Sequence, residues 1–400
     1  MPRLTAALLG PLLLLLSACS GALPRDAVVH LETSLVSVDH RFPWRIDDVS
    51  RQYGSGVYLG RGLVLTNAHV VHDAQHIQVS TDQQRAILKG ELLHISEEVD
   101  LALVQLDATE ADRWLTRIRF GGAVAVGDSV QALGFPGGMK SQALTSGVVS
   151  RLNEESYVHT GRTLPVIQVD AAINGGASGG ALLKDGKLVG LLFQMASDRE
   201  NVGHVIPLTL IRQFLRDSAD GRIDGLPSLG ISIQSVHNPM KRKRHGLSEG
   251  QQALEILEGS AFARDNNLLP GDLIVAMNER KLISGDLLEG TPAISMMDLM
   301  ADYQIGDNLS LTILRQGQPS RLSVRLDHRW SDHYQVPIGY SHTPVPWLAL
   351  AGVVMVRLDD NYLANAEGPS SYLNTLSSSR RTDAECPQDV VEISNVLPHD

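Results

Sequence analysis

The chain has 400 residues, 43% of them hydrophobic and 20% charged, which calls for more than one core and excludes a disordered or membrane-embedded bulk. Its net charge of -11 argues against a nucleic-acid partner, because phosphates would be repelled. Beyond the N-terminus no run approaches the roughly 20 apolar residues that a bilayer span needs.

In chain order, Arg3 precedes an apolar run from Ala6 to Leu16 and then Ser17-Ala18-Cys19, the pattern of an export signal over residues 1–18. Leu16-Ser17-Ala18-Cys19 resembles a bacterial lipobox, which makes Cys19 the expected lipidation site and the membrane a partner through acyl chains. Ser20 after that Cys points, by the same resemblance, to an outer-membrane lipoprotein facing the periplasm. Cleavage after Ser20-Gly21-Ala22, giving a soluble periplasmic protein, is the alternative. The other cysteine is Cys386, so a lipidated Cys19 leaves no intrachain disulfide.

From Ala27 to Pro207 short apolar runs alternate with Gly and polar turns. Gly56–Leu59, Leu63–Thr66, Leu101–Val104, Val130–Leu133 and Val166–Val169 all read as strands. That spacing predicts antiparallel barrels rather than an α/β sheet, and the length suits two small ones. A helix is predicted at Pro207–Asp217, with Leu210, Phe214 and Leu215 on one side, closing a domain at 27–218. A Gly/Pro/Asp-rich linker, Asp220–Pro227, follows. A second domain, 228–328, has strands at Leu229–Gln234, Leu273–Met277 and Leu309–Leu314 and a helical pattern at Ile294–Tyr303. The basic run Lys241–Arg244 reads as a solvated surface segment. A third segment, 335–400, holds the apolar run Trp347–Val356 and a strand near Asp389–Ile393.

Three residues carry the chemistry of nucleophilic hydrolysis. Ser178 stands in Gly175-Gly176-Ala177-Ser178-Gly179-Gly180, where glycines permit a tight turn whose amides converge on one point. His69 ends a strand in Thr66-Asn67-Ala68-His69-Val70-Val71, and Asp100 opens the strand Asp100–Val104. Singly each is weak, since Gly-rich Ser loops and lone histidines are common. Asp170 competes with Asp100 but lies on the strand leading to Ser178 and reads as structural. No Cys/His ligand spacing is present, so no metal or cofactor is expected.

Taken together, these blocks, with Asp170-Ala171-Ala172-Ile173-Asn174 leading into the Ser loop, resemble the signature blocks of HtrA/Deg serine proteases. Leu144–Arg151, Ser156–His159 and Phe193-Gln194 are most similar to the plant-type Deg branch. The resemblance implies a mainly β fold: a trypsin-like double β-barrel protease domain, a PDZ domain and a partial second PDZ-like segment. It implies His69 as general base, Asp100 as its orienting carboxylate, Ser178 as nucleophile, and the N–H groups of Gly176 and Ser178 as oxyanion hole. Ala172 would form the base of the substrate pocket and Leu191-Leu192-Phe193 one wall, favouring small aliphatic side chains; filling the second core is the alternative role for these residues. Ala177 and Ala181 stand where the family pattern has Asn and Pro.

Ser228–Ile233 resembles a PDZ carboxylate-binding loop and strand, with Leu229, Gly230, Ile231 and Ile233 as peptide-binding residues. Leu268 to Ile274 matches the Leu-x-Pro-Gly-Asp-x-Ile block, and Gly259–Ala263 the turn before it. Ile294, Met297 and Met300 would line the peptide groove or pack the core. The expected partners are unfolded protein or peptide substrates and two further copies of the chain, in a homotrimer or a multiple of it. The expected activity is ATP-independent cleavage of damaged envelope proteins.

Overall fold

A computed structural model describes residues 23–36, 39, 42–45, 48–157, 163–195, 202–284, 287–288, 300–329, 332, 346–359, 362 and 391–396. The export signal, both cysteines, His159, Ile294 and Met297 lie outside these residues.

Six antiparallel strands close the first barrel: β1 (Val28–Leu35), β2 (Ser50–Gly60), β3 (Leu63–Thr66), β4 (Ala74–Ser80), β5 (Ile87–Ser96) and β6 (Leu101–Gln105). Around the barrel they run β1-β2-β3-β6-β5-β4. The second barrel repeats that order with β7 (Ser129–Gly134), β8 (Ala143–Ser156), β9 (Thr163–Val169), β10 (Ala181–Lys184), β11 (Lys187–Met195) and β12 (Gly203–Pro207), running β7-β8-β9-β12-β11-β10. Closure leaves neither sheet an unpaired edge.

Alternation along the strands sorts side chains between two cores. In β6, Ala102 and Val104 join the first barrel's interior with Leu31, Tyr58 and Val64, while Leu101 and Leu103 point the other way. These meet Leu133, Phe135, Leu183 and Leu191 from the second barrel in a separate cluster between the two. This two-sided burial explains why Leu101–Val104 is an unbroken apolar run. Each such side chain contributes roughly 1.5–3 kcal/mol on burial. The second barrel's interior is filled by Val130, Val149, Val169, Leu182, Leu192 and Val205, among others.

Between β3 and β4 lies one helical turn, α1 (Ala68–Val71), and α2 (Ala108–Trp114) follows β6. The predicted C-terminal helix is present as α3 (Leu208–Asp217), with Pro207 at its N-cap. Leu210, Ile211 and Phe214 are fully buried against the interbarrel cluster, and Leu215 packs at its edge.

The stretch read as a linker is held by side chains. The Asp217 carboxylate accepts the N–H of Gly225 at 2.9 Å and of Asp224 at 3.2 Å. Glu98 Oε2 accepts the N–H of Leu226 at 2.8 Å, and Leu226 itself is buried in the interbarrel cluster. The composition reading missed this because Glu98 lies 128 residues from Leu226 and composition does not show what the Asp217 carboxylate binds.

Downstream, a seven-stranded antiparallel sheet comprises β13 (Ile231–Ser235), β14 (Leu254–Gly259), β15 (Leu273–Met277), β16 (Arg280–Ser284), β17 (Leu287–Leu288), β18 (Asn308–Arg315) and β19 (Gln318–Arg325). β13 begins at Ile231 rather than Leu229 because Gly230 takes φ +65°, which breaks the extended run. The Leu-x-Pro-Gly-Asp block has a clear mechanical role. Buried Asp272 accepts the Leu269 N–H at 3.0 Å and pairs with Arg315 through Nε at 2.8 Å and Nη2 at 2.7 Å. The basic run sits on a short helix, α4 (Pro239–Arg244), and is only half free. Lys241 pairs with Glu255, and Arg242 donates to the carbonyls of Val236, Ser248 and Gln251. The apolar run Trp347–Val356 is a hairpin of β20 (Trp347–Leu350) and β21 (Val353–Arg357), turning at Ala351 and Gly352, both at positive φ. β22 (Val391–Val396) completes that three-stranded sheet.

Candidate active site

The His–Asp pair is built by local backbone constraints in the first barrel. Asn67 caps α1 and sends its side-chain N–H to the Asp100 carbonyl at 3.0 Å, tying the helix to the loop before β6. Asp100 sits in the left-handed region at φ 53°, a conformation that Asp tolerates better than most residues and that turns its carboxylate back toward α1. Its Oδ1 accepts the His69 backbone N–H at 2.8 Å, and its Oδ2 lies 2.8 Å from His69 Nδ1. The Asp100 side chain is 1% exposed and the imidazole 17%, so the carboxylate is shielded while the ring keeps an open edge. A proton on Nδ1 facing Oδ2 leaves Nε2 as the basic nitrogen. The Gln52 side chain also fixes the turn, donating to the His69 carbonyl at 2.8 Å.

Ser178 lies in the loop between β9 and β10 of the second barrel. Gly176 and Gly179 both have positive φ, +88° and +84°. A Cβ on Gly179 would stand 2.0 Å from the Ser55 carbonyl oxygen, and one on Gly176 2.7 Å from the Gly137 nitrogen. Only glycine fits either position. The Gly175 carbonyl accepts from Gly137 N–H at 2.6 Å, and the Ala177 carbonyl from Gly180 N–H at 2.9 Å. In a trans peptide the next N–H points the opposite way, which leaves the N–H groups of Gly176 and Ser178 directed away from those bonds.

Sequence reading missed Ser55. From β2 its Oγ donates to the Gly176 carbonyl and accepts the Phe135 N–H, each at 2.9 Å, and its N–H reaches the Ser178 carbonyl at 2.7 Å. A first-barrel residue therefore pins the serine loop of the second. The signal was the serine between two glycines in Gly54-Ser55-Gly56, where Cβ atoms would collide with Val70 and Val64.

The Ser178 hydroxyl donates to the Phe193 carbonyl at 2.8 Å. A hydroxyl has one proton, so in this arrangement it is not offered to His69.

The residues expected around the substrate pocket are divided. Ala172 is exposed, with its carbonyl held by Thr145 Oγ1 at 2.9 Å. Leu191 and Leu192, by contrast, are 0% and 1% exposed, in the interbarrel cluster and the second barrel's interior respectively. Their side chains are core, because strand alternation sends one to each cluster; only the backbone of β11 is left to form a wall. Phe193 is also buried, its ring packed on Tyr157 at 5.1 Å. Asp170 accepts the Val148 N–H at 2.6 Å, consistent with a structural role.

In the downstream sheet, Leu229 is buried and Ile231 and Ile233 pack at the core's edge. Among the described residues β13 pairs only with β14, at the end of the strand order. The Gly230 carbonyl accepts the Ser260 N–H at 2.8 Å, and a Cβ on Gly230 would meet Ser260 Oγ at 2.3 Å.

Residues 54–191 match the trypsin-like peptidase domain family. The chain is 31% identical to the probable periplasmic serine protease do/HhoA-like of Haemophilus influenzae, over 82% of this chain and 68% of that protein. It is 28% identical to the chloroplastic Protease Do-like 2 of Arabidopsis thaliana, over 94% of this chain. The match spans 62% of the length of that plant protein, and 62% of the mitochondrial Protease Do-like 4. Among solved structures, the HtrA-type protease AlgW with tripeptide superposes with a TM-score of 0.60 at 25% identity, over 77% of this chain and 95% of that one.

Proposed function

Because this chain belongs to the HtrA/Deg family of serine proteases, we propose that it is a serine endopeptidase with His69, Asp100 and Ser178 as its catalytic triad. The observation that carries the reading is the buried Asp100 carboxylate, 2.8 Å from His69 Nδ1, together with a serine loop pinned by glycines and by Ser55. Ser178 turns from the Phe193 carbonyl toward His69 Nε2, which takes its proton as the oxygen attacks the scissile carbonyl. The N–H groups of Gly176 and Ser178 receive the oxyanion, and His69 then protonates the leaving amine. Asp100 holds the tautomer and offsets the charge of the imidazolium.

Ala172 forms the base of the substrate pocket and the β11 backbone one wall, a lining that favours small aliphatic side chains. The unit at 228–328 acts as a PDZ module. An extended C-terminal peptide adds to the open edge of β13, and the loop Ser228–Gly230 takes its carboxylate. Residues 335–400 are read as a partial second module of the same kind. The substrates are unfolded or damaged envelope proteins, cleaved without ATP by a trimeric enzyme anchored through Cys19.

Casein digestion and labelling with an organophosphate test the hydrolytic reading directly. Wild type is expected to cleave and to label at one serine, and Ser178→Ala to do neither. Wild type that does neither would leave a binding scaffold as the function.

A further inference from the structure

Behind the His–Asp pair, at the junction of the barrels, a small pocket is lined by Val99, Asp100, Glu155, Tyr157, Leu164 and Phe193. Tyr157 follows the last residue of β8 and is 3% exposed. The Asp100 side chain lines the same pocket. Its ring packs on that of Phe193, with centroids 5.1 Å apart at 42°. Phe193 is the residue whose carbonyl accepts from Ser178 Oγ. One side chain of the second barrel therefore shares a pocket with the carboxylate that faces His69 and packs on the residue that holds the serine hydroxyl.

We propose that Tyr157 is a positioning residue of the hydrolytic site: its phenol donates to the Asp100 carboxylate across the barrel interface while its ring backs Phe193. With the two bonds from His69, three donors converge on a carboxylate that is 1% exposed. Together they fix both torsions of that side chain, and the phenol is the one of the three that the His69 backbone and ring do not supply. Burial above all, then the negative charge and hydrogen bond of Asp100, then Glu97, hold the phenol's pKa far above its ordinary value, so the proton stays on tyrosine and the group acts as donor only. The titratable groups facing this spot are Asp100 and Glu97 from the first barrel, His69 and His72 on and after α1, and Glu155 at the end of β8. This inference rests on the hydrolytic reading above.

The sign of the effect follows from charge. A carboxylate that shares its charge with a phenol stabilises a neighbouring cation less, so removing the donor should weaken hydrolysis most on the acidic side of its pH profile. In the full-length chain, Tyr157→Phe is expected to lower kcat on fluorescein-labelled casein about ten-fold, with KM within about two-fold. The acidic limb of the organophosphate inactivation rate is expected to move to higher pH. Replacing Tyr157 with 3-fluorotyrosine keeps the shape but strengthens the donor, and should move the same limb to lower pH; it decides the matter if Tyr157→Phe does not fold. Limbs that stay where wild type has them, or a loss confined to KM, would overturn the assignment. The two failures are separable: wild type that neither cleaves nor labels removes the hydrolytic reading and this inference with it, whereas active wild type with unmoved limbs removes only the role of Tyr157.

Discussion

Two residues show how far a side chain's chemistry depends on its backbone. Asp100 presents both oxygens to His69 because it occupies a left-handed turn, so its effect lies in geometry as well as charge. Asp100→Asn keeps the shape but offers an amide N–H where Nδ1–H needs an acceptor. It is expected to lower kcat on casein by about 10⁴-fold with little change in thermal midpoint, as a tautomer defect would. The glycines of the serine loop are not equivalent. Gly179→Ala places a methyl 2.0 Å from a backbone oxygen at positive φ and should cost at least about 2 kcal/mol in urea unfolding. Gly175 has open space around it, and Gly175→Ala should change stability by less than about 0.5 kcal/mol. His69 and Ser178 were legible from their neighbours. Ser55 was not, because its partners lie far away in the chain.

At the scale of elements, the segment between α3 and β13 shows why composition misleads. Gly, Pro and Asp over 220–227 read as a loose tether, yet Asp217 and Glu98 bind its N–H groups. Burial is the larger influence on Asp217 and lifts its carboxyl above the ordinary range, against the lowering effect of the Gly225 and Asp224 N–H bonds. A carboxyl with a raised folded-state pKa binds more protons folded than unfolded, so its contribution falls as pH rises through the window between the two values. Relative to Asp217→Asn, wild type should therefore lose unfolding free energy as pH rises from about 4, the unfolded aspartate value, toward neutrality. Parallel denaturant titrations of both proteins measure that difference, and parallel curves would refute it. The strands around Gly56–Leu59, Leu63–Thr66, Leu101–Val104, Val130–Leu133 and Val166–Val169 were legible because those apolar runs are short and turn-bounded. The exact lining of the pocket was not, since alternation in β11 buries Leu191 and Leu192 on opposite sides and a one-dimensional pattern does not say against what.

For the whole molecule, the two barrels and the downstream sheet share buried surface. Ala301 and Leu226 join the interbarrel cluster, and Arg216 on α3 donates to the carbonyls of Ala301 and Asp302 at 3.3 and 3.2 Å. Gln304 reaches back to the Gln213 carbonyl at 3.3 Å. Shared contacts of this kind couple unfolding, so wild type is expected to melt in one calorimetric transition and Arg216→Ala to broaden or split it. A single sharp peak in the variant would show that the units are coupled by other contacts. The sequence by itself determined the β class, strands such as Leu63–Thr66 and Leu101–Val104, the helix that follows the second barrel and a glycine-rich turn around Ser178, because all of these follow from local alternation and local sterics. Only the tertiary structure decided that Ser55 pins the serine loop, that Tyr157 and Asp100 share a pocket, and that Glu98 clamps the linker. Those depend on which distant surfaces closure of the two barrels brings within hydrogen-bonding reach, and no local rule encodes that distance.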